Sequence, residues 1–253
     1  MKTLVYQSFR DTNRPVWIET CLASVRAWAE TQAFDYRFFG DGFLDLVPDW
    51  YREKSGGRLP IITDLARLLA AREQLDAGYR RVIWLDADVL VFRPEVLRID
   101  VAKQFAFGRE IWVQRTASGR LRAYRNVHNA VCVFLRGNSF LDFYIHACQS
   151  VVSRLDGGVP QQIVGPKLLT SLHNSVGFQL IDAVAMFSPL VVCDILTGGG
   201  PALDLLLKRS DDPIGAANLC ASLAHGVRDG VRLNDARMAE ACRILLAKGL
   251  TSA

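Results

Sequence analysis

Two aspartates stand out in the sequence because they directly follow an apolar run. Asp86 and Asp88 come after the residues VIWL, with only Ala87 between them. Side chains alternate along a strand, so a strand through this segment would direct both carboxylates to one side, close together. Two such carboxylates repel each other unless a cation lies between them. Carboxylate oxygens suit Mg²⁺ or Mn²⁺, which keep coordination positions for phosphate oxygens and water.

The tripeptide alone leaves a second interpretation open, which is a strand end with two solvated acids. Apolar residues flank the pair on both sides, VIWL before it and VLVF after it. Unpaired acids between apolar walls are costly, and this favours a cation site over two solvated side chains.

The segments around this pair alternate between strand and helix. Thr63 is a suitable N-cap for the second helix, which would place Asp64 in the first turn, where the helix dipole favours an anion. The alternation predicts an α/β fold with a mostly parallel sheet, helices on both faces and ligands at the carboxyl ends of the strands. The patterning predicts strands at 3–7, 34–40 and 80–92, and helices at 14–30 and 63–78.

The second half of the chain differs from the first. Residues 111–135 alternate around Ala-Ser-Gly and predict an added β-hairpin. No Pro/Gly/Ser-rich stretch is long enough to be a linker, so the prediction is one domain over residues 1–253. The remaining patterns predict helices at 138–155, 166–173 and 234–248, and a strand near 178–182.

Composition and charge exclude several classes of protein. The chain has 253 residues, of which 50% are hydrophobic and 22% charged, and its net charge is +4. This composition is typical of a globular chain and excludes disordered, collagen-like and coiled-coil proteins. The excess of positive charge is small and spread along the chain, which argues against nucleic acid as a partner.

The cysteines and the N-terminal segment predict a cytoplasmic protein. Six cysteines are scattered without a C-x-x-C pair, as is typical of buried thiols in a reducing compartment. The N-terminal segment lacks the apolar core of a secretory signal, and no apolar stretch approaches the ~20 residues that cross a bilayer. The amphipathic, mildly basic helix at 234–248 could contact a membrane surface, although packing on the protein's own sheet is the favoured interpretation.

The segment 63–92 resembles the D-x-D region of retaining glycosyltransferases with the GT-A fold, of the kind found in families 8 and 32 and in the glucosylating toxins. In those enzymes a helix carrying D-x-x-R precedes a strand that ends in D-x-D, and here Asp64 and Arg67 precede Asp86 and Asp88. The resemblance implies that Asp88 is the main metal ligand and that Asp86 is shared between the metal and the ribose or sugar hydroxyls. It also implies that Asp64 and Arg67 reach the donor sugar. From the residues alone, that pair at i and i+3 equally suits a local ion pair.

Three looser matches extend the resemblance. Asn129 opens an apolar run and resembles the family's N-A strand beneath the donor sugar, which implies a contact near the anomeric carbon. Gly165 precedes Pro166 as in the family's G-P turn, where the glycine lets backbone approach a ligand. Tyr6 and Gln7 lie at the end of the first strand, which holds the nucleotide base in GT-A folds. For Asn129 and Gly165 a purely structural role is the alternative.

A late histidine and several arginines complete the candidates. Related enzymes take a third metal ligand from a C-terminal histidine and use a nearby cation on the diphosphate, and His225 and Arg228 are the matching residues. The sequence lacks the H-x-x-G-x-x-K-P-W pattern of that region, so a structural histidine is the alternative. The arginines that crowd the predicted hairpin could meet an anionic acceptor such as a lipid diphosphate, or they could simply be solvated. They are Arg115, Arg120, Arg122 and Arg125.

The resemblance implies a glycosyltransferase, specifically a hexosyltransferase, that depends on Mn²⁺ or Mg²⁺. The donor would be a UDP- or GDP-sugar, the acceptor a hydroxyl of a saccharide or lipid-linked glycan, and the configuration would be retained. The expected catalytic residues are Asp86, Asp88 and Asn129, the donor-binding residues Tyr6, Gln7, Asp64, Arg67, Asp86, Gly165 and Arg228, and the metal ligands Asp86, Asp88 and His225.

Three rival functions are weaker. A haloacid-dehalogenase-like phosphatase also has a strand ending in D-x-D, but its motif normally lies near the N-terminus, and the G-D-x-x-x-D match here, Gly40 to Asp45, precedes the D-x-D when it should follow it. A nucleotidyltransferase would need a Gly-rich basic loop after the first strand, and QSFRDTNRP has no glycine. A catalytically silent sugar-nucleotide-binding subunit is the third alternative, and only turnover excludes it.

Overall fold

The computed structural model describes residues 1–155, 162–224 and 226–250. Its first part alternates between strands and helices, as the sequence predicts. In chain order the elements are β1 (Thr3–Ser8), α1 (Val16–Thr31), β2 (Asp35–Phe39), a 3₁₀ turn (Asp41–Leu46), α2 (Asp49–Lys54), α3 (Leu59–Asp76), β3 (Arg81–Leu85) and β4 (Val89–Val91).

A long hairpin and a more helical part follow. The elements are β5 (Phe105–Arg115), β6 (Leu121–Leu135), α4 (Ser139–Ser153), α5 (Pro166–Val176), β7 (Leu180–Ile181), β8 (Val184–Met186), α6 (Pro189–Thr197), α7 (Pro201–Arg209), β9 (Ala216–Asn218), a second 3₁₀ turn (Ala221–Leu223), β10 (Val227–Arg228), β11 (Val231–Arg232) and α8 (Asp235–Lys248). The predicted helices at 138–155, 166–173 and 234–248 correspond to α4, α5 and α8.

The main sheet has six strands in the order β2-β1-β3-β6-β5-β7. Strand β1 pairs parallel to both β2 and β3, and β5 pairs parallel to β7. Within the described part of this sheet, β6 alone runs against its neighbours, β3 and β5. The predicted mostly parallel sheet is therefore confirmed, and so is the added hairpin, which β5 and β6 form.

Helices cover both faces of the main sheet. Alternate side chains of β1 point to opposite sides, so that Leu4 and Tyr6 pack in the cluster formed with α3 and α4. Val5 packs on the other side with Val25 and Trp28 of α1. Strands covered on both faces are mostly apolar, which is why β3 is a nearly continuous hydrophobic run.

A second, smaller sheet joins β4, β9 and β8. Val89 of β4 lies opposite Asn218 of β9 in an antiparallel pair. The predicted single strand at 80–92 is therefore wrong in detail, because the chain leaves the main sheet after Leu85 and enters the small one at Val89. The turn between them is closed by a hydrogen bond from the Val89 N–H to the Asp86 carbonyl, 3.0 Å long.

Helix α3 begins at Leu59, four residues before the N-cap that the sequence suggests. Pro60 occupies the first turn, where its fixed φ and missing N–H are tolerated, and this lets the helix start earlier. Thr63 is therefore not the N-cap. Asp64 lies beyond the first turn, so the helix dipole does not account for its charge.

No single helix among the described residues is long and apolar enough to cross a membrane; only α6 and α7, taken as a pair bent by 115°, meet the length and composition of a span.

A buried histidine joins the hairpin to the small sheet. The His128 Nε2 lies 3.0 Å from the Val184 carbonyl, and the Ala130 N–H donates to its Nδ1 over 3.1 Å. Nδ1 accepts, so the proton of the neutral ring is on Nε2 and is donated to Val184. The ring lies against Gly108 at a bulge in β5, where a Cβ would come within 2.0 Å of the imidazole.

Burial lowers the pKa of His128 to about 4, and this makes the fold sensitive to acid. Between pH 6.5 and 4 the unfolded chain binds this proton and the native chain does not, so stability present at neutral pH is lost as the pH falls. We expect the loss from His128 at pH 4.5 to be on the order of 2 kcal/mol. Urea unfolding at pH 7 and pH 4.5 measures it.

The matched variant is His128→Gln, because protonation of the buried acids works in the opposite direction. The pKa of Asp64 is raised to about 6, so its protonation stabilises the native state in the same pH window. The difference between the wild type and His128→Gln isolates the histidine. Equal changes in the free energy of unfolding for both proteins would contradict the assignment.

Candidate functional site

A cleft of about 590 Å³ opens at the carboxyl ends of β1 and β3. This is the edge at which open α/β sheets bind their ligands. Its walls come from the segment after β1, the first 3₁₀ turn, the start of α3, the β3–β4 turn and the second 3₁₀ turn. They include Ser8, Phe9, Arg10, Asp41, Leu44, Thr63, Arg67, Trp84, Asp86, Ala87, Asp88, Ala221 and Ser222.

Asp86 and Asp88 face the same partner, Asn218, and the backbone between them turns where the sequence predicts a continuous strand. The Asn218 amide nitrogen lies 3.4 Å from Oδ2 of Asp86 and 2.6 Å from Oδ1 of Asp88. The Ala221 N–H donates to the other Asp88 oxygen over 2.7 Å. The Asn218 side chain is itself held in place, because its Oδ1 accepts from the Cys220 N–H over 2.7 Å.

The protonation of Asp88 reflects its burial and the nearby Asp86 carboxylate. Burial, and next the charge of Asp86, raises the pKa of Asp88 to about 7, although hydrogen bonds from Ala221 and Asn218 oppose the rise. A cation placed between two carboxyl groups stabilises the ionised form of both.

The donor set of this pair fits a hard divalent cation. Mg²⁺ commonly binds through one or two carboxylates and fills its remaining positions with water and phosphate oxygens. Within residues 1–155, 162–224 and 226–250, no group of three or more His, Cys, Asp and Glu side chains is placed to hold a metal ion. Asp86 and Asp88 would therefore be the ligands from the described part of the chain, and His225 lies outside it.

Arg67 forms an ion pair with Asp86. Its guanidinium lies 3.1 Å from Oδ1 of Asp86 and 3.2 Å from Oδ1 of Asp64, and it donates to the Asn129 carbonyl over 2.6 Å. Burial would lower the pKa of Arg67, but the charges of Asp86 and Asp64 outweigh it and raise the pKa. The guanidinium stays charged, and it also lies over the Trp84 ring, 4.9 Å from its centroid.

Asp64 lies behind Arg67 and is almost fully buried. Its Oδ1 accepts from the Asn129 side-chain amide over 2.7 Å. Burial raises the pKa of Asp64 to about 6, while Arg67 and Asn129 hold it down. The predicted pair of Asp64 and Arg67 is therefore brought together as a buried ion pair, with Arg67 lining the cleft and Asp64 supporting it.

Tyr6 and Gln7 also support the cleft from behind. The Tyr6 hydroxyl donates to the Arg67 carbonyl over 2.7 Å, and the Gln7 amide donates to the Asp86 carbonyl over 3.0 Å. Both side chains are fully buried. Their contact with a nucleotide base stays a prediction, and at this strand end the wall itself is made by Ser8, Phe9 and Arg10.

The structure places the remaining candidates, Gly165 and Arg228, away from the lining of the cleft. Gly165 packs on the buried pair, where a Cβ would lie 2.5 Å from Asp64 Oδ2 and 3.0 Å from the Asn129 amide nitrogen. Arg228 lines a second cavity instead of the cleft. The roles predicted for Gly165, Asn129 and Arg228 at the donor stay predictions, as does that of His225.

Sequence reasoning missed two residues that shape the acidic pair. Trp84 donates its indole N–H to Oδ1 of Asp86 over 2.6 Å. It precedes Asp86 by two residues, so the period of a strand could have placed both on one face. Asn218 is about half the chain away from the aspartates, and no local pattern marks it.

Comparison with known proteins bears on the fold. No protein-family model matches the sequence, and no curated protein matches it. The structure is similar to a glycosyltransferase involved in the glycosylation of the major capsid of PBCV-1, with a TM-score of 0.50 and 11% identity over 96% of this chain and 100% of that chain. At this identity the likeness shows the fold alone, and the GT-A-type α/β fold that the sequence predicts is confirmed.

Two further solved structures are less similar. A197 from STIV gives a TM-score of 0.33 and 12% identity over 69% of this chain and 78% of that chain. A mutant of Drosophila galactosyltransferase 7, in complex with manganese, UDP-Gal and xylobiose, gives a TM-score of 0.30 and 11% identity over 67% of this chain and 69% of that chain. Scores this low say nothing further about this chain.

The contact of Gly165 with the buried pair gives a stability prediction. A methyl group in Gly165→Ala would overlap Asp64 Oδ2, and both Asp64 and its partner Asn129 are held by hydrogen bonds. We expect the free energy of unfolding to fall by about 1–3 kcal/mol, as for other over-packed sites. Gly42→Ala is the control, because its Cβ would meet nothing closer than 3.9 Å. Urea unfolding curves that coincide for the two variants would show that the contact is unimportant.

Proposed function

We propose that the protein is a metal-dependent glycosyltransferase, a hexosyltransferase that moves a sugar from a nucleotide-diphosphate donor to an acceptor hydroxyl. The observation that carries the proposal is the pair of carboxylates, Asp86 and Asp88, at the strand-end cleft of a GT-A-type fold. The pair shares one amide partner, Asn218, and burial beside Asp86 raises the pKa of Asp88 to about 7.

In this proposal Asp86 and Asp88 hold Mn²⁺ or Mg²⁺, and His225 is the candidate third ligand. The ion, when bound, offsets the charge that builds on the departing diphosphate. Asn218 and the Ala221 N–H keep both carboxylates turned toward the cleft. Arg67 holds Asp86 through Oδ1, while Asn218 approaches Oδ2.

The donor is proposed to lie along the cleft. Phe9 and Arg10 line the end near β1, and they offer an aromatic ring and a cation to a nucleotide. The sugar would lie toward Arg67 and Thr63, at the start of α3. Since the Asn129 side chain donates to Asp64, we assign Asn129 to positioning the Asp64–Arg67 pair, in place of the predicted direct contact at the anomeric carbon.

The reaction is the displacement of a nucleoside diphosphate. The acceptor oxygen forms a bond to the anomeric carbon as the bond from that carbon to the diphosphate oxygen breaks. The bonding electrons leave with the diphosphate, and the hydroxyl proton is released. Retention of configuration is part of the proposal, and it rests on the resemblance of residues 63–92 to retaining enzymes.

Nucleotide binding is the first test. Thermal unfolding is measured with UDP or GDP, each with Mn²⁺ or with EDTA. A ligand at 100 times its dissociation constant adds about 2.7 kcal/mol, which raises the midpoint of a chain this size by roughly 5–10 °C. We expect such a shift for one nucleotide, and only with the metal. If no nucleoside diphosphate moves the midpoint with metal present, the donor site is wrong and phosphatase activity is the next function to assay.

Replacement of one ligand tests the acidic pair. Asp88→Asn keeps the shape of the side chain and removes its charge, so we expect transfer to fall by two orders of magnitude or more, consistent with loss of a major electrostatic term. The midpoint without ligand should change little, because removal of a charge that burial disfavours offsets the acceptor oxygen lost to Asn218 or Ala221. Asp142→Asn is the control, since Asp142 is a largely exposed acid on α4. Near-normal turnover of Asp88→Asn would remove Asp88 from the metal site.

A further inference from the structure

A second cavity, of about 340 Å³, lies beside the cleft and shares Ser222 with it. The residues between the two cavities belong to the second 3₁₀ turn, and that turn is tied to the acidic pair by the hydrogen bond from the Ala221 N–H to Asp88. Anything bound in the second cavity therefore lies next to the proposed reaction centre, separated from it by one short turn.

The floor of this second cavity is one face of the β5–β6 hairpin. Glu110 and Trp112 alternate along β5, and they lie opposite Asn126 and Tyr124 of β6. All four line the cavity. The residues that alternate with them on β5, Ile111 and Val113, point the other way and are buried in the core. Strand periodicity thus places two aromatic rings, a carboxylate and an amide on a single surface.

The polar groups of this surface hydrogen bond to each other and still have an acceptor oxygen for a ligand. The Asn126 amide donates to Oε2 of Glu110 over 2.9 Å, which leaves the other carboxylate oxygen as an acceptor. Burial raises the pKa of Glu110, while Asn126 and the charge of Arg228 hold it down. Arg228 lies over the Trp112 ring, with its guanidinium carbon 5.5 Å from the ring centroid.

A buried donor beside the cavity lacks an acceptor. The indole N–H of Trp112 has no hydrogen-bond partner among the described residues. A buried polar group left unpaired destabilises the native state, so such groups in folded proteins call for an explanation. The Trp112 ring lines the second cavity, and its unpaired N–H marks this wall as one whose hydrogen bonds the described residues leave incomplete.

We propose that the second cavity binds the acceptor of the transfer as a neutral sugar unit, with Glu110 and Asn126 hydrogen bonding its hydroxyls and Tyr124 packing against its ring. The inference rests on the function proposed above, and it narrows the second substrate to a neutral sugar unit and gives it a site. The position next to Asp88 then brings an acceptor hydroxyl toward the anomeric carbon of the donor.

The charge and size of the cavity favour a neutral sugar over an anionic lipid head group. Glu110 would repel a phosphate, and Arg228, the cation of the described lining, already offsets that carboxylate. The volume is at the lower end of the roughly 300–1,000 Å³ found for small-molecule sites, enough for one sugar ring. Aromatic faces and carboxylate and amide groups together match the apolar faces and hydroxyls of a pyranose.

None of the four arginines predicted to meet a lipid diphosphate is in the described lining of the second cavity, and two of them line a separate surface. Arg125 lies on a separate surface, where it pairs with Asp211 at 3.1 Å. Arg122 is also on that surface and packs over the Tyr124 ring, 5.0 Å from its centroid. Within the described residues, these side chains therefore do not make the second cavity a phosphate site.

The experiment measures sugar binding separately from nucleotide binding. The probes are methyl α- and β-glycosides of glucose, galactose, mannose and N-acetylglucosamine, with geranyl diphosphate as the anionic lipid probe. Binding is followed by saturation-transfer NMR with Mg²⁺ and the nucleotide that shifts the thermal midpoint. We expect one glycoside to bind the wild type, and Glu110→Gln and Tyr124→Leu each to weaken it about tenfold through loss of a charge-assisted hydrogen bond or of the ring contact.

The controls keep the outcomes distinct. Glu53→Gln changes an exposed glutamate on α2 and should bind the glycoside like the wild type. Tyr124→Phe keeps the ring and should restore what Tyr124→Leu loses. The nucleotide-dependent thermal shift should persist in every variant, so its absence from the wild type signals failure of the transferase proposal itself.

Three results would overturn the acceptor assignment while leaving the donor site intact. One is a nucleotide shift with no binding by any glycoside. Another is glycoside binding that Glu110→Gln and Tyr124→Leu leave unchanged, which would place the sugar elsewhere. The third is binding of geranyl diphosphate that Tyr124→Leu weakens, which would make the acceptor an anionic lipid.

Discussion

The guanidinium of Arg67 is the constraint on which the site depends. It is buried between Asp64 and Asp86 and donates to the Asn129 carbonyl, while the backbone carbonyl of Arg67 accepts from the Tyr6 hydroxyl. These contacts connect α3 to β3, β6 and β1, the three central strands behind the cleft. Breaking a buried ion pair by removing one partner leaves an uncompensated charge, which is far more costly than the pair is worth in isolation. The geometry around Arg67 is therefore difficult to change one residue at a time.

The two aspartates of the pair have different surroundings, and this difference gives them different tasks. Asp86 has a cation beside it and a neutral donor in Trp84. Among the described residues, the donors to Asp88 are neutral, the Asn218 amide and the Ala221 N–H. Burying a carboxylate with neutral partners alone raises its pKa, as happens to Asp88. Within the described residues, Asp86 thus has a cationic partner and Asp88 has neutral ones, so a bound cation would stabilise the Asp88 carboxylate more.

The sequence predicts the larger features because they follow from local periodicity. The alternation of strands and helices, the hairpin and the face shared by Asp64 and Arg67 all come from spacings of two, three or four residues. What it misses depends on contacts between distant segments. Tyr6 and Gln7 lie at the correct sheet edge, but only the packing of α3 and β3 shows that they are buried supports. Asn218 reaches the pair through a strand pairing that no local pattern reveals.

The break after Leu85 explains how the two aspartates lie near each other although the predicted continuous strand is wrong. A continuous strand would place Asp86 and Asp88 on one side by alternation alone. In the structure the chain turns at Asp86 and crosses to the small sheet, where Val89 pairs with Asn218. That pairing fixes β9 beside the turn, so the Asn218 side chain reaches both carboxylates. The two aspartates share a partner because they lie where the chain passes from one sheet to the other. Any substitution that shifts β9 should therefore disturb the pair without touching either aspartate.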